Sequence, residues 1–371
     1  MAFSHCRTGR LAAAEQPDST LVFAPGTAGY VSMRIPALVA TKKGTLLAFC
    51  EARVGSASDW AEMDLLMRRS TDKGKTWSAP VVVSKRMGPQ PNGNPTPIAA
   101  ADGTVHLVFQ RDYATAWYMQ STDDGLSWSE PKNITYVFDR FKPQYDWKVL
   151  APGPGHGIEL SNGRLLVPVW MSASEKLLPH RSHSPTCIAT IYSDDAGKTW
   201  QRGDIVADNT PAMKNPNENM AVQLSDGRVM LNIRFGSDRH RRGVSYSGDG
   251  ATGWTKPVFD ENLFDPVCMA SIIRVPGKNG QGKGYLLFAN PDSRHLDSIP
   301  RYPRKNLSIK LSADDGKTWT VNKVLDTGYA GYSDLALGPD GTLYCLYESN
   351  TTSSFNYSQV LKSFSLKWLG R

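Results

Sequence analysis

No stretch of this 371-residue chain approaches the ~18 uninterrupted apolar residues of a membrane-spanning helix. Its five cysteines (Cys6, Cys50, Cys187, Cys268 and Cys345) are scattered, without Cys-x-x-Cys spacing or a repeated Cys/His pattern. That excludes a zinc signature and a disulfide framework, and reads most of the thiols as small buried hydrophobes. Basic tracts are short as well. The longest, Arg239-His240-Arg241-Arg242, has no nucleic-acid motif around it, which argues against DNA or RNA as a partner. The net charge of +7 fits an electropositive cleft for an anionic ligand or a basic surface without focus. The N-terminal MAFSHCRTGRLAAAEQ lacks the apolar segment of a secretory signal. A cytoplasmic location is expected, or a secreted or periplasmic one if the first Met has replaced a natural leader.

Glycine (32 residues), proline (24) and aromatic side chains (10%, with ten Trp) are plentiful instead. This mix suits many short strands joined by tight turns. Four octets repeat one pattern, Ser-x-Asp-x-Gly-x-x-Trp: STDKGKTW from Ser70, STDDGLSW from Ser121, SDDAGKTW from Ser193 and SADDGKTW from Ser312. A fifth copy, SGDGATGW from Ser247, has its Gly displaced by one position. The spacing is too irregular for a solenoid of fixed stacking. Asp accepts hydrogen bonds from nearby backbone N–H groups, Gly supplies a positive φ, and Trp is expected to pin the turn against its own sheet. Alternating segments such as DLLMRRS, TVHLVFQR, RLLVPVW and VMLNIRF read as the flanking strands. Each octet is thus a corner between antiparallel strands, a structural fastener rather than a ligand site. The expected fold is all-β, a six-bladed β-propeller of four-stranded antiparallel sheets. Residues 1–371 read as a single catalytic propeller domain, with about 1–20 a less ordered extension.

In a propeller the chemistry gathers at one end of the central channel, so its residues are dispersed in sequence. Arg34 is the one charge in YVSMRIPALVA, and Arg234 ends the apolar run LNIR. Arg301 and Arg304 precede another strand in RYPRKNLSIKLSADDGKTW. Arginines from three blades can converge on one carboxylate, each through a planar two-point fork. Taken singly, Arg34 also reads as an edge-strand arginine turned to water.

The Arg-Ile-Pro strand followed by several octets resembles the exo-sialidases (neuraminidases) of bacterial and animal type, from about Arg34 to the C-terminus. The resemblance implies that Arg34, Arg234 and Arg304, in preference to Arg301, grip the carboxylate of sialic acid. It implies that Asp59, in FCEARVGSASDWAEMDLLMRRS, is the acid/base, with Arg53 a sugar-hydroxyl contact and Asp64 a rival carboxylate. Glu218 of NPNENMAVQ and Tyr332 of GYAGYSDLAL match the family's glutamate and tyrosine, with Tyr329 a decoy, and Asn94 of GNPTPI is placed near the sugar. Standing alone, Asp59 reads equally as a loop cap and Glu218 as a solvated charge. A tyrosine nucleophile suits this sugar, because a carboxylate would meet the charge at its anomeric centre. The implied reaction is hydrolysis of terminal α-linked sialic acid from sialylated glycoconjugates, with retention and without metal or organic cofactor. The alternatives are a non-catalytic sialoglycan-binding propeller, a trans-sialidase, or a relative preferring the deaminated sugar, a choice assigned to a pocket wall near Met63.

Overall fold

Strands of alternating or wholly apolar character recur along the chain, and in the computed structural model they pair in sequence order. The structure describes residues 16–176, 179–277, 282–294, 302–351 and 356–371, so Cys6 and Arg301 lie outside the described residues. After β1 (Asp18–Phe23), a first sheet contains β2 (Tyr30–Ala40), β3 (Leu46–Val54), β4 (Met63–Ser70) and β5 (Val81–Ser84). The second holds β6 (Asn92–Ala99), β7 (Val105–Arg111), β8 (Thr115–Ser121) and β9 (Lys132–Asn133). A one-turn helix, α1 (Thr135–Asp139), leads to the third sheet. It holds β10 (Val149–Pro152), the two-residue β11 (Ile158–Glu159), β12 (Leu165–Ser172), β13 (Thr186–Ser193) and β14 (Gln201–Ala207). The fourth holds β15 (Asn219–Gln223), β16 (Val229–Ile233), β17 (Arg241–Ser247) and β18 (Val258–Phe264).

The remaining strands are β19 (Ser271–Val275), β20 (Tyr285–Pro291), β21 (Lys305–Ser312), β22 (Val321–Leu337), β23 (Leu343–Asn350) and β24 (Ser358–Phe364). They join β1 in one seven-stranded sheet, in the order β19-β20-β21-β22-β23-β24-β1. The fold is all-β and propeller-like, but the sequence pattern called for six separate four-stranded sheets. Among the described residues, four sheets on four-strand paths and one of seven strands are present instead. The cause is β22. Its 17 residues pair with β21 from Val321 to Tyr329 and with β23 from Tyr329 to Leu337, so one unbroken strand serves both partners.

The inner strands pack side by side: β2 against β6 and β22, β6 against β10, β15 against β12 and β19, and β19 against β22. Apolar cores fill the wedges between adjacent sheets. Phe49 and Met67 meet Leu107 and Phe109 between the first and second, and Tyr118 and Phe138 meet Val167 and Trp200 between the second and third.

All five octets turn from the third strand of a sheet to the next, as their local chemistry dictates. In the first, Ser70 Oγ donates to Asp72 (2.8 Å) and accepts from Gly74 N (2.8 Å), while Asp72 accepts from Thr76 N (2.9 Å) and Thr76 Oγ1 (2.6 Å). The same net recurs around Asp123, Asp195, Asp249 and Asp314. Gly74 has φ 83°, and a Cβ there would stand 2.3 Å from Leu361 Cδ2. Trp319 meets Phe288 of its own sheet at 5.9 Å, but two other tryptophans depart from expectation. Trp128 meets Phe49 edge-on at 6.0 Å and Trp200 meets Tyr118 at 5.5 Å, each on the preceding sheet. These two octets therefore fasten their turns to the neighbouring sheet as well.

Candidate active site

Backbone irregularities aim the polar side chains at one end of the inner strands. In β2 the Pro after Ile35 cannot donate to the ladder, Ile35 has φ 58°, and the register with β3 shifts between Arg34 and Ala37. A bulge of this kind re-aims a side chain. The register of β6 shifts between Gly93 and Thr96, around Asn94 (φ 55°), and that of β22 between Ala330 and Ser333, around Tyr332.

Tyr332 is the hub. Its hydroxyl donates to Glu218 Oε1 in a short hydrogen bond and accepts from Arg234 Nη1 at 3.0 Å. Arg234 Nη1 also bonds Glu218 Oε2. The guanidinium carbons of Arg34 and Arg304 lie 5.3 and 5.4 Å from the centre of the Tyr332 ring. Burial and the Glu218 carboxylate push the phenol up, against the pull of Arg234, Arg304 and Arg34; its pKa is raised. Arg304 donates to Val267 O at 2.9 Å. The residues on either side of Val267 are held by the buried Arg242, which binds Asp265 Oδ2 (3.2 Å) and Cys268 O (2.9 Å).

Asp59 lies on the β3–β4 loop with its side chain half-exposed, 2.8 Å from Arg53 Nη1 and 3.8 Å from Arg34 Nη1. Burial opposes its ionisation, but Arg53 and Arg34 outweigh this and draw the carboxyl down to about 2. Arg53 is wholly buried behind it and is also bonded to Glu51 (2.6 and 3.1 Å) and Ala57 O (2.6 Å). Asn94 lines the cleft, its N–H donating to Glu51 at 2.8 Å. The cleft, about 280 Å³, is lined among others by Ile35, Asp59, Asn94, Tyr113, Trp170, His183, Glu218, Arg234, Val267 and Tyr332. A larger cavity of about 690 Å³ opens where the same strands leave the axis, near Leu38–Lys42 and Ala336–Pro339, and contains none of this cluster.

The structure thus brings together Arg34, Asp59, Glu218, Arg234, Arg304 and Tyr332. Asp64 is engaged elsewhere, accepting from Tyr30 OH and Arg86 N, each at 2.7 Å. Tyr329 lies in the ladder opposite Lys305, and Met63 is buried outside the cleft lining.

Sequence reasoning missed two carboxylates beneath the site. Glu348 is fully buried and accepts four hydrogen bonds: from Arg34 Nε (2.8 Å), Arg34 Nη2 (3.2 Å), Ile35 N (2.9 Å) and Tyr332 N (3.0 Å). It ties the arginine of β2 to the tyrosine of β22. Glu51 does the like for Arg53 and Asn94. Glycine makes both approaches possible: a Cβ on Gly331 would lie 2.1 Å from Glu348 Oε2, and one on Gly93 2.3 Å from Glu51 Oε1. The available signal was a lone carboxylate within an apolar strand, in LYCLYES and AFCEARV.

Known proteins carry the same plan. A family described as BNR repeat-like domain matches residues 44–345. The Sialidase of Micromonospora viridifaciens is 33% identical over 371 residues, covering 93% of this chain and 53% of that protein. Sialidase-2 of Rattus norvegicus is 30% identical over 377 residues, covering 90% of this chain and 92% of that one. Among solved structures, Hadza microbial sialidase Hz136 superposes with TM-score 0.77 at 28% identity, over 95% of this chain and 69% of that one. The chain belongs to the sialidase family. It spans about half the length of the Micromonospora viridifaciens relative and 60% of a second, the Sialidase of Bacteroides fragilis (strain YCH46).

Proposed function

We propose that this protein is an exo-α-sialidase that hydrolyses terminal α-linked sialic acid from glycoconjugates with retention, Tyr332 being the nucleophile. The observation that carries the reading is the Tyr332 hydroxyl held between Glu218 and Arg234, with Arg34 and Arg304 beside its ring. Three guanidiniums fix the sugar carboxylate and orient the anomeric carbon over the phenol oxygen. As Tyr332 forms its bond to that carbon, its proton passes to Glu218, and Arg234 stabilises the developing phenolate. The bond to the aglycone oxygen breaks while Asp59 gives that oxygen a proton. Water then attacks the same carbon and yields a proton to Asp59. The tyrosyl bond breaks, and the phenolate recovers its proton from Glu218.

A carboxyl near 2 is a poor acid, so Asp59 must rise when substrate binds. The sugar carboxylate supplies that rise: it neutralises Arg34, one of the two cations now holding Asp59 down, and adds a negative charge nearby. The same reading assigns six blades to one catalytic propeller, with the seven-stranded sheet as two blades sharing β22. A purely glycan-binding propeller would have no use for the linked Asp59, Glu218 and Tyr332. Incubation with a fluorogenic sialoside, followed by proton NMR, tests the reading. The α-anomer of sialic acid should appear first; β-anomer first, or no release, overturns it.

A further inference from the structure

Beside the cleft, loops from three sheets meet in an aromatic box that the steps above do not use. The β3–β4 loop contributes Trp60, next in sequence to Asp59. The β7–β8 turn contributes Asp112 and Tyr113, and the β12–β13 loop His180, Arg181 and His183. The Trp60 indole stacks on His180 with centroids 5.1 Å apart and planes 7° apart. It meets His183 at 5.2 Å and Tyr113 at 5.0 Å, and Arg181 Cζ sits over it at 5.4 Å. Arg181 is itself anchored on Asp112, by an ion pair of 2.9 Å and a short hydrogen bond to its carbonyl. Tyr113 and Trp170 enclose His183 from 4.6 and 5.3 Å. Asp59, by contrast, is half-exposed on a loop of largely exposed residues.

We propose that His180, Arg181 and His183 form a clamp on Trp60 that positions the neighbouring Asp59 carboxyl over the leaving group. The proposal rests on the reading of Asp59 as the acid. Proton transfer needs the donor within roughly 2.6–3.2 Å of the leaving oxygen, and a misplacement of about 1 Å can cost on the order of 100-fold in rate. The ion pair with Arg53 fixes how far Asp59 extends; the fixed indole next to it sets the direction of its backbone. Around His183 stand Asp59 and Glu218, which favour its protonation, and Arg181 and Arg53, which oppose it. Burial outweighs them all and lowers its pKa, so the ring packs as a neutral member of the box.

The test uses His180→Ala and Arg181→Ala, which lie outside the cleft lining, singly and together. The readout is kcat on sialyl-lactose, whose leaving group needs an acid, against an aryl sialoside, whose leaving group does not. The double variant should lose about 10- to 100-fold on sialyl-lactose and much less on the aryl substrate. His180→Phe, which keeps a stacked ring, should restore most of the loss. In an Asp59→Ala background the clamp substitutions should have little further effect. Equal losses on both substrates, the same loss without Asp59, or no loss overturns the clamp. A wild-type protein inactive on both sialosides would instead overturn the functional reading.

Discussion

Replacing Glu348 by Gln should uncouple the substrate anchor from the nucleophile. The side chain keeps its shape, but one of two oxygens becomes an NH2 group that faces donors. Of the four donors now satisfied by Glu348, those on that oxygen lose their acceptor, and the buried Arg34 loses its nearest carboxylate partner. Breaking one side of a buried ion pair costs about 3–5 kcal/mol. With an unfolding entropy of about 2.1 cal/mol/K per residue, the melting point should fall by roughly 4–6 °C. Arg34 would also no longer be held for the substrate carboxylate. Loss of a charge-assisted hydrogen bond of about 1.5–3 kcal/mol corresponds to a KM about 10- to 100-fold higher. Differential scanning calorimetry and steady-state kinetics on a fluorogenic sialoside measure the two effects. A variant that melts and binds like the wild type would refute the role given to Glu348.

Asp59→Ala should lower kcat by about 100-fold or more on sialyl-lactose and far less on aryl sialosides, as a plot of rate against leaving-group pKa will show. Gly331→Ala, whose Cβ would overlap Glu348 Oε2, should displace Tyr332 and lower both kcat/KM and the melting point. Hydrogen bonds within the octets hold Asp72, Asp123 and Asp195 down to about 2, and Arg53 with Arg34 holds Asp59 there against burial. Folded-state values below the unfolded ones give stability that is present above about pH 4 and is lost as pH falls toward 2. Melting points from pH 7 to 2 should therefore drop most steeply in the last two units.

The octets are legible because their chemistry is local: Ser, Asp and Gly close the turn within eight residues. Their Trp partners are not, since the indole of Trp128 finds Phe49 only once two sheets are side by side. Arg34 and Arg234 stand out as charges in apolar strands. Glu348 carries the same signal, but its partner Arg34 is 314 residues away in sequence, and only the packing of β22 and β23 against β2 reveals the pair. The unbroken β22 was hidden by Gly328 and Gly331, which punctuate its sequence as turn residues would, although the second makes room for a carboxylate. His183 lies in a loop without periodicity, and nothing in PHRSHSPT points to a cleft.

The central claim is that the phenol oxygen of Tyr332 attacks the anomeric carbon. A 2,3-difluorosialic acid, in which fluorine disfavours the cation-like transition state of release, should leave the sugar attached long enough for peptide mapping by mass spectrometry. The added mass should fall on Tyr332, and none should appear on the Tyr332→Phe variant. A label on Glu218 or Asp59, or unlabelled protein that still cleaves aryl sialosides, would contradict it.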